Sequence, residues 1–326
     1  MKEVFAAIKA RQSVLLRATG TVVALVLMVY LLYEQGWGEI EAAIKQIELW
    51  RLGLALLLMI ISRLAVSGRW HVLLRSGGVH ITPMQSFQIT MAGLFANNFL
   101  PTTVGGDVIR LAGALRLKYD AAVSAASLIA DRLVGMAGML MVVPVGLPKL
   151  MQIHDLRDLI PSGTSALQLN IAALPLSGLF GRVWGKSLSL LRRLVTTLSL
   201  WLRSPRSLFY SLLCTWIHQL CLYGILTLSF WGMGENISFW LIAGLYSFVY
   251  LITLIPISIN GYGLQEISMT LVFSRLGGTS LASSLTAALL FRTIMMIASL
   301  PGVLFVPGLM AYTRQQFKEK TPAIEE

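Results

Sequence analysis

Charge is what this sequence has least of. Its 326 residues include 26 Lys and Arg against 15 Asp and Glu, so charged side chains make up 13% of the chain; a soluble domain carries about 25%. That scarcity excludes a hydrated skin wrapped around a large apolar core. Cysteine is nearly missing too, with Cys214 and Cys221 the two in the chain. On one helix their separation is roughly 10 Å, too far for a disulfide, and a disulfide scaffold is excluded. Catalytic signatures are missing as well: there is no Gly-x-x-x-x-Gly-Lys-Ser/Thr loop, His-Glu-x-x-His, Cys-x-x-Cys or Gly-x-Ser-x-Gly. The four histidines, His71, His80, His154 and His218, form no metal-spaced cluster. No cofactor is expected, and any transport would draw on an ion gradient, the membrane potential or the substrate's own gradient.

What the chain has instead is long apolar runs. Apolar residues make up 56% of it and recur as runs at 18–33, 52–62, 133–148, 207–231, 238–257 and 281–311. Several meet the criterion of roughly 20 mostly apolar residues for a helix that spans a bilayer. The expected fold class is an all-α integral membrane protein. The net charge of +11 does not read as a nucleic-acid surface, which would gather on one face of a folded domain. It alternates along the chain instead. Lys2, Lys9, Arg11 and Arg17 face Glu3 alone, and 181–206 holds Arg182, Lys186, Arg192, Arg193, Arg203 and Arg206 without an acid, whereas 34–51 is acidic. This positive-inside pattern predicts a multi-pass protein of the cell (inner, cytoplasmic) membrane with both termini and 181–206 in the cytoplasm. No small-residue cleavage site follows Leu32, so the first span is expected to remain uncleaved.

Six crossings are expected, at about 18–33, 50–74, 121–148, 160–180, 207–231 and 281–311, with an amphipathic surface helix at 182–203. Two further regions, 84–118 and 238–277, read as broken re-entrant hairpins; full crossing of both as paired helices, giving ten spans, would leave the charge pattern unchanged. Pro101, Gly105 and Gly106 interrupt the first, and Pro256, Gly261 and Gly263 the second; such residues end helices. The halves 15–148 and 160–311 look alike, followed by a charged tail at 312–326. Arg132 lies 25 residues after Asp107, and Arg292 lies 26 after Glu266. Three crossings per half predict an inverted repeat whose hairpins enter from opposite sides, their tips near the midplane. Pro-to-acid spacing is six in one half and ten in the other, so the likeness is architectural. Broken segments at matching positions of two halves point to a transporter's binding site.

The charges inside apolar segments are Arg63, Asp107, Arg110, Asp131, Arg132, Glu266 and Arg292. Each costs on the order of 3 kcal/mol at mid-helix. Four arginines against three acids leave room for an anion, and the planar guanidinium suits phosphate or carboxylate. Asn98 either caps the first broken leg or lines the cavity. Structural ion pairing accounts equally for any single member of this set, and Arg63 also fits snorkelling from near a span end. Asp131 and Arg132, being adjacent, must each find a partner elsewhere. His218-Gln219 reads as a polar helix contact.

The stretch Asn98-x-Leu100-Pro101-x3-Gly105-Gly106-Asp107-x2-Arg110, then Ser127-x3-Asp131-Arg132-Leu133-x-Gly135, resembles the lysylphosphatidylglycerol synthase/flippase transmembrane domain family. Pro256-x-Ser258-x2-Gly261-x-Gly263-x2-Glu266 is similar to that family's second signature, and the resemblance spans about 15–311. It implies a flippase-like membrane domain and membrane lipids as partners: an anionic or aminoacylated phospholipid, or a polyprenyl-linked substrate. Members that make the lipid carry a soluble aminoacyltransferase domain after the membrane part. Only the short tail follows Ala311 here, so lipid synthesis is not expected. The leading expectation is a lipid flippase that does not hydrolyse ATP, its binding set being Arg63, Asn98, Asp107, Arg110, Asp131, Arg132, Glu266 and Arg292. The alternatives are an intramembrane enzyme using Asp107, Asp131 and Glu266 as acid and base, or a scaffold partnering a soluble lipid-modifying enzyme through 181–206.

Overall fold

The computed structural model describes residues 41–99 (Ala43 apart), 105–150, 204–254 and 261–306, with Val26 and Val29 as single helical positions. Its elements are α1 (Leu49–Ser76), α2 (Pro83–Phe99), α3 (Gly105–Arg116), α4 (Ala121–Leu150), α5 (Pro205–Gly232), α6 (Phe239–Thr253), α7 (Leu264–Leu276) and α8 (Leu281–Ser299), the last running into a 3-10 turn at Leu300–Leu304. Among the described residues four segments are long and apolar enough to cross a membrane: Leu49–Ser76, Ala121–Gly146, Pro205–Gly232 and Leu281–Leu304. The chain is a multi-pass helical membrane protein. The crossings expected at 18–33 and 160–180, the surface helix at 182–203, and the break residues Pro101 and Pro256 lie outside the described residues.

Local chemistry sets the helix ends. Thr82 and Gln85 cap α2 reciprocally, Gln85 Oε1 accepting from the Thr82 amide at 3.0 Å and Thr82 Oγ1 from the Gln85 amide at 3.2 Å, which satisfies two orphan donors. The hydroxyls of Ser238 and Ser280 accept from Leu241 and Ser283 amides and start α6 and α8. Before α7 the backbone passes through φ 72° at Gly261 and 74° at Gly263, a left-handed conformation open to glycine at little cost. The crossing expected as one helix over 281–311 changes character early. With Pro301 in its first turn, the segment tightens to 3-10 at Leu300–Leu304, because proline has no amide hydrogen to continue the ladder.

The outer surface carries apolar side chains at helical spacing. Leu54, Leu57, Ile61 and Leu64 on α1, and Phe209, Leu213, Trp216 and Leu220 on α5, are all exposed. Such stripes would be a liability in water, and acyl chains receive them without penalty. Inside, Met59, Ile225, Phe230, Leu245, Phe273 and Phe291 belong to one core shared by α1, α5, α6, α7 and α8. α1 packs along α5, α4 along α6, and α2 against α3.

The backbones of α4 and α6 approach closely where they cross. A Cβ built on Gly244 of α6 would come within 2.6 Å of Gly146 Cα on α4, and main-chain atoms cannot swing aside as a side chain can. Gly244→Ala should therefore push α4 from α6 and cost about 1–3 kcal/mol, as overpacking does. Thermal melting followed by fluorescence-detected size exclusion reads this; a wild-type midpoint would refute the close approach.

Candidate functional site

Two acids open the short helices that follow the breaks. Asp107 is the third residue of α3 and Glu266 the third of α7, where the helix N-terminus favours negative charge. Two arginines sit at matching positions along the long helices that come next, Arg132 as the twelfth residue of α4 and Arg292 as the twelfth of α8. Each acid meets its arginine. Arg132 Nε and NH2 both lie 2.5 Å from Asp107 Oδ2, and Arg292 Nε donates to Glu266 Oε1.

The two pairs differ in surroundings. The first is the outer end of a longer chain of charges. Asp131, 2% exposed, accepts from Arg69 Nε at 2.6 Å on one oxygen and from Arg110 NH1 at 3.0 Å on the other. Arg110 reaches on to Asp107 at 3.6 Å and lies over the Trp70 ring at 4.5 Å, a stabilising cation–π arrangement. The order Arg69–Asp131–Arg110–Asp107–Arg132 thus ties α1, α3 and α4 together. Asp131 and its neighbour Arg132 each find a partner elsewhere, as their adjacency requires. Glycines make the room. A Cβ on Gly93 would lie 2.7 Å from Arg110 Cγ, and one on Gly135 would lie 3.0 Å from Arg69 NH1.

The second pair stands at the other break. Arg292 NH2 also donates to Gln265 Oε1 at 3.1 Å and to the Gly261 carbonyl at 3.5 Å, and its guanidinium lies 4.8 Å from the Tyr262 ring centre. Tyr262 OH donates to the Asn98 carbonyl, joining the flank of one break to the flank of the other. The Asn98 side chain reaches α8, donating to Ser299 Oγ at 2.9 Å and to the Met295 carbonyl at 3.5 Å. Its neighbour Asn97 accepts from the Gly106 amide at 2.9 Å, and Gly106 has no space for a Cβ beside that side chain. Gly106 therefore serves close approach, whereas Gly261 and Gly263 serve the turn. Gly105 begins α3.

A cleft of about 520 Å³ opens between these elements, lined among others by Arg63, Arg69, Asp107, Arg110, Asp131 and Arg132. Gly261 and Gln265 from the second break line it as well, as do His218, Gln219 and Tyr250. Of the expected set, Arg63, Asp107, Arg110, Asp131 and Arg132 share this cleft. Glu266, Arg292 and Asn98 stand outside its lining, and Arg292 touches it through Gln265 and Gly261. The sequence pattern does not single out Arg69, and Gln219 reads from it as a helix contact. Among the described residues no three His, Cys, Asp or Glu side chains converge on a metal-sized space.

No curated protein matches the chain. The family model described as lysylphosphatidylglycerol synthase TM region matches residues 17–302, and with most of its length inside that match the chain belongs to this family.

Proposed function

We propose that the protein moves a lipid or lipid-linked substrate between the leaflets of the cell membrane, with the arginine- and aspartate-lined cleft as the place where the polar head group crosses. The observation that carries this reading is the cleft's lining: four arginines and two aspartates set among helices long and apolar enough to span a bilayer. Charges at that depth are too costly to keep without partners, water or a polar ligand. The family's name points to a phospholipid-related substrate. The matched acid–arginine pairs, third residue to twelfth on corresponding helices, support an inverted repeat of 15–148 and 160–311 with hairpins opening to opposite sides. Alternating exposure of the cleft would then be a rocking of one half against the other. Both termini and 181–206 lie in the cytoplasm on this reading.

The acid–base alternative fits less well, because Asp107, Asp131 and Glu266 are each already engaged by an arginine. The test is leaflet exchange in vesicles reconstituted with the purified chain. Fluorescent phosphatidylglycerol in the inner leaflet should become accessible to an impermeant quencher many times faster than in protein-free vesicles. Equal rates for fluorescent phosphatidylglycerol and for an equally labelled polyprenyl phosphate, both at the protein-free level, would reject the proposal.

A further inference from the structure

Arg63 is the buried cation that the ion-pair network leaves over. Among the described residues four arginines with buried side chains lie inside apolar helices. Arg69 and Arg110 share Asp131 and Arg292 holds Glu266, while Arg63, 5% exposed, meets no carboxylate. Its NH2 donates to the Met295 carbonyl at 3.3 Å, and its Nε has no partner. One carbonyl dipole falls far short of neutralising a guanidinium removed from water. Snorkelling does not account for it either, because Arg63 is the fifteenth of 28 residues in α1 and its side chain lines the cleft. Across the cleft wall stands Gln219 on α5, 1% exposed, with both its amide nitrogen and its oxygen unpartnered. A hydrogen bond of 2.6 Å between Ser62 Oγ and His218 Nδ1 ties α1 to α5 at the residue before each of them. A Cβ on Gly138 of α4 would lie 2.6 Å from Gln219 Nε2, so α4 backs the amide closely.

We infer that Arg63 and Gln219 form an oxoanion site of the cleft and that its ligand is a phosphate group. This deepens the transport reading and rests on it only for the claim that the phosphate is carried rather than merely held. A buried cation with a free Nε and a buried amide with a free donor are complementary to one kind of group, an anion with several acceptor oxygens. The Nε edge of a guanidinium presents two parallel donors that match two phosphate oxygens, and the Gln219 amide adds a donor. Gln219 Oε1 remains to accept a hydroxyl from the same head group. Charge agrees: four arginines against two aspartates leave the cleft two positive charges in surplus, which a phosphodiester halves and a monoester, at about −1.5 to −2, nearly cancels. Every arginine of the chain from Arg69 to Arg132 already meets a carboxylate, although Arg110 keeps its Nε and NH2 unpartnered, whereas among the described residues Arg63 meets none. Those residues form the wall, and Arg63 receives the ligand.

Phosphate could come from a lipid head group or from solution, and the experiment separates the two. The full chain in a neutral detergent is melted with inorganic phosphate, with chloride at matched ionic strength, with phosphatidylglycerol, and with diacylglycerol as the phosphate-free lipid. The wild type should melt higher with a phosphate-bearing ligand than with its phosphate-free control. A shift with phosphatidylglycerol alone assigns the site to a lipid head group; a shift with both shows that free phosphate suffices. Arg63→Gln, relieved of an uncompensated charge, should melt at or above the wild-type temperature without ligand, yet need at least tenfold more ligand for the same shift. Gln219→Leu should weaken the half-saturating concentration about tenfold, the worth of a hydrogen bond to a charged group. The inference is overturned if neither ligand shifts the wild type. It is also overturned if Arg63→Gln keeps the wild-type half-saturation, whether or not its own melting point falls. Binding that survives while vesicles show no leaflet exchange rejects transport and keeps the site. Leaflet exchange with no phosphate-dependent shift rejects the site and keeps transport.

Discussion

Asp131→Asn is expected to be the single substitution that most reduces the amount of folded protein. Asp131 is almost fully buried and both of its oxygens are taken, one by Arg69 and one by Arg110. The asparagine keeps the shape and removes the charge, so two buried guanidiniums lose their counter-ion at once. Breaking one buried pair by deleting one partner costs about 3–5 kcal/mol, a large part of the 5–15 kcal/mol that holds a typical domain together. Arg110 retains Asp107 at 3.6 Å and the Trp70 face, whereas among the described residues Arg69 retains a 3.4 Å contact with Thr215 Oγ1. The damage should therefore centre on the α1–α4 junction, and adding Arg69→Met should recover part of it. Asp107→Asn provides the contrast. Its partner Arg132 is 54% exposed at the side chain, and pairs of that kind contribute about 0–1 kcal/mol. The measurement is the monodisperse fraction after detergent extraction, with melting temperature on the surviving material. Asp131→Asn folding as well as Asp107→Asn would mean that the inner arginines are neutralised by something other than this carboxylate.

The contrast also explains which parts of the molecule could be read from its residues. The spans at 49–76, 121–146 and 205–232 follow from their overall hydropathy, which outweighs Arg63, Asp131 and Arg132 within two of them, and the paired short helices from proline and glycine, because those signals are local. The matching spacings of 25 and 26 were legible as a sign of the repeat, since each acid and arginine occupies the same place in successive helices, but which acid meets which arginine was not. Arg69 was not legible. It lies among basic residues near the end of α1, and hydropathy does not say which side of a helix faces a carboxylate 62 positions away. Asn98 was open between a cap and a cavity wall, and its side chain does a third thing, bonding α8 through Ser299. Gln219 looked like an ordinary helix contact, and only the packing of α4 and α5 leaves its amide without a partner. Periodicity speaks for the element a residue belongs to; what that residue meets across the bundle is decided by tertiary packing.

Glu266 and Arg292 should behave as one unit in a double-mutant cycle, with the arginine the more damaging single loss. Both are buried, at 3% and 8% exposure, so the low-dielectric argument applies to each. Their fallback positions differ. In Glu266→Gln the guanidinium still has Gln265 Oε1 at 3.1 Å, the Gly261 carbonyl at 3.5 Å and the Tyr262 ring. In Arg292→Gln the carboxylate keeps its place in the first turn of α7, and among the described residues its Oε2 has no partner to begin with. Arg292→Gln should cost about 3–5 kcal/mol and Glu266→Gln clearly less. The double variant, with no buried charge left unpaired, should fall below the sum by about 0.5–3 kcal/mol. Arg292 also pins the left-handed turn at Gly261, and Tyr262 beside it donates to the Asn98 carbonyl. The double variant should thus regain folding without regaining that joint, so leaflet exchange per folded molecule stays low in vesicles where melting temperature has recovered. Strict additivity of the two single costs would show that the residues do not pair. Full recovery of exchange along with stability would show that the joint between the two breaks plays no part in transport.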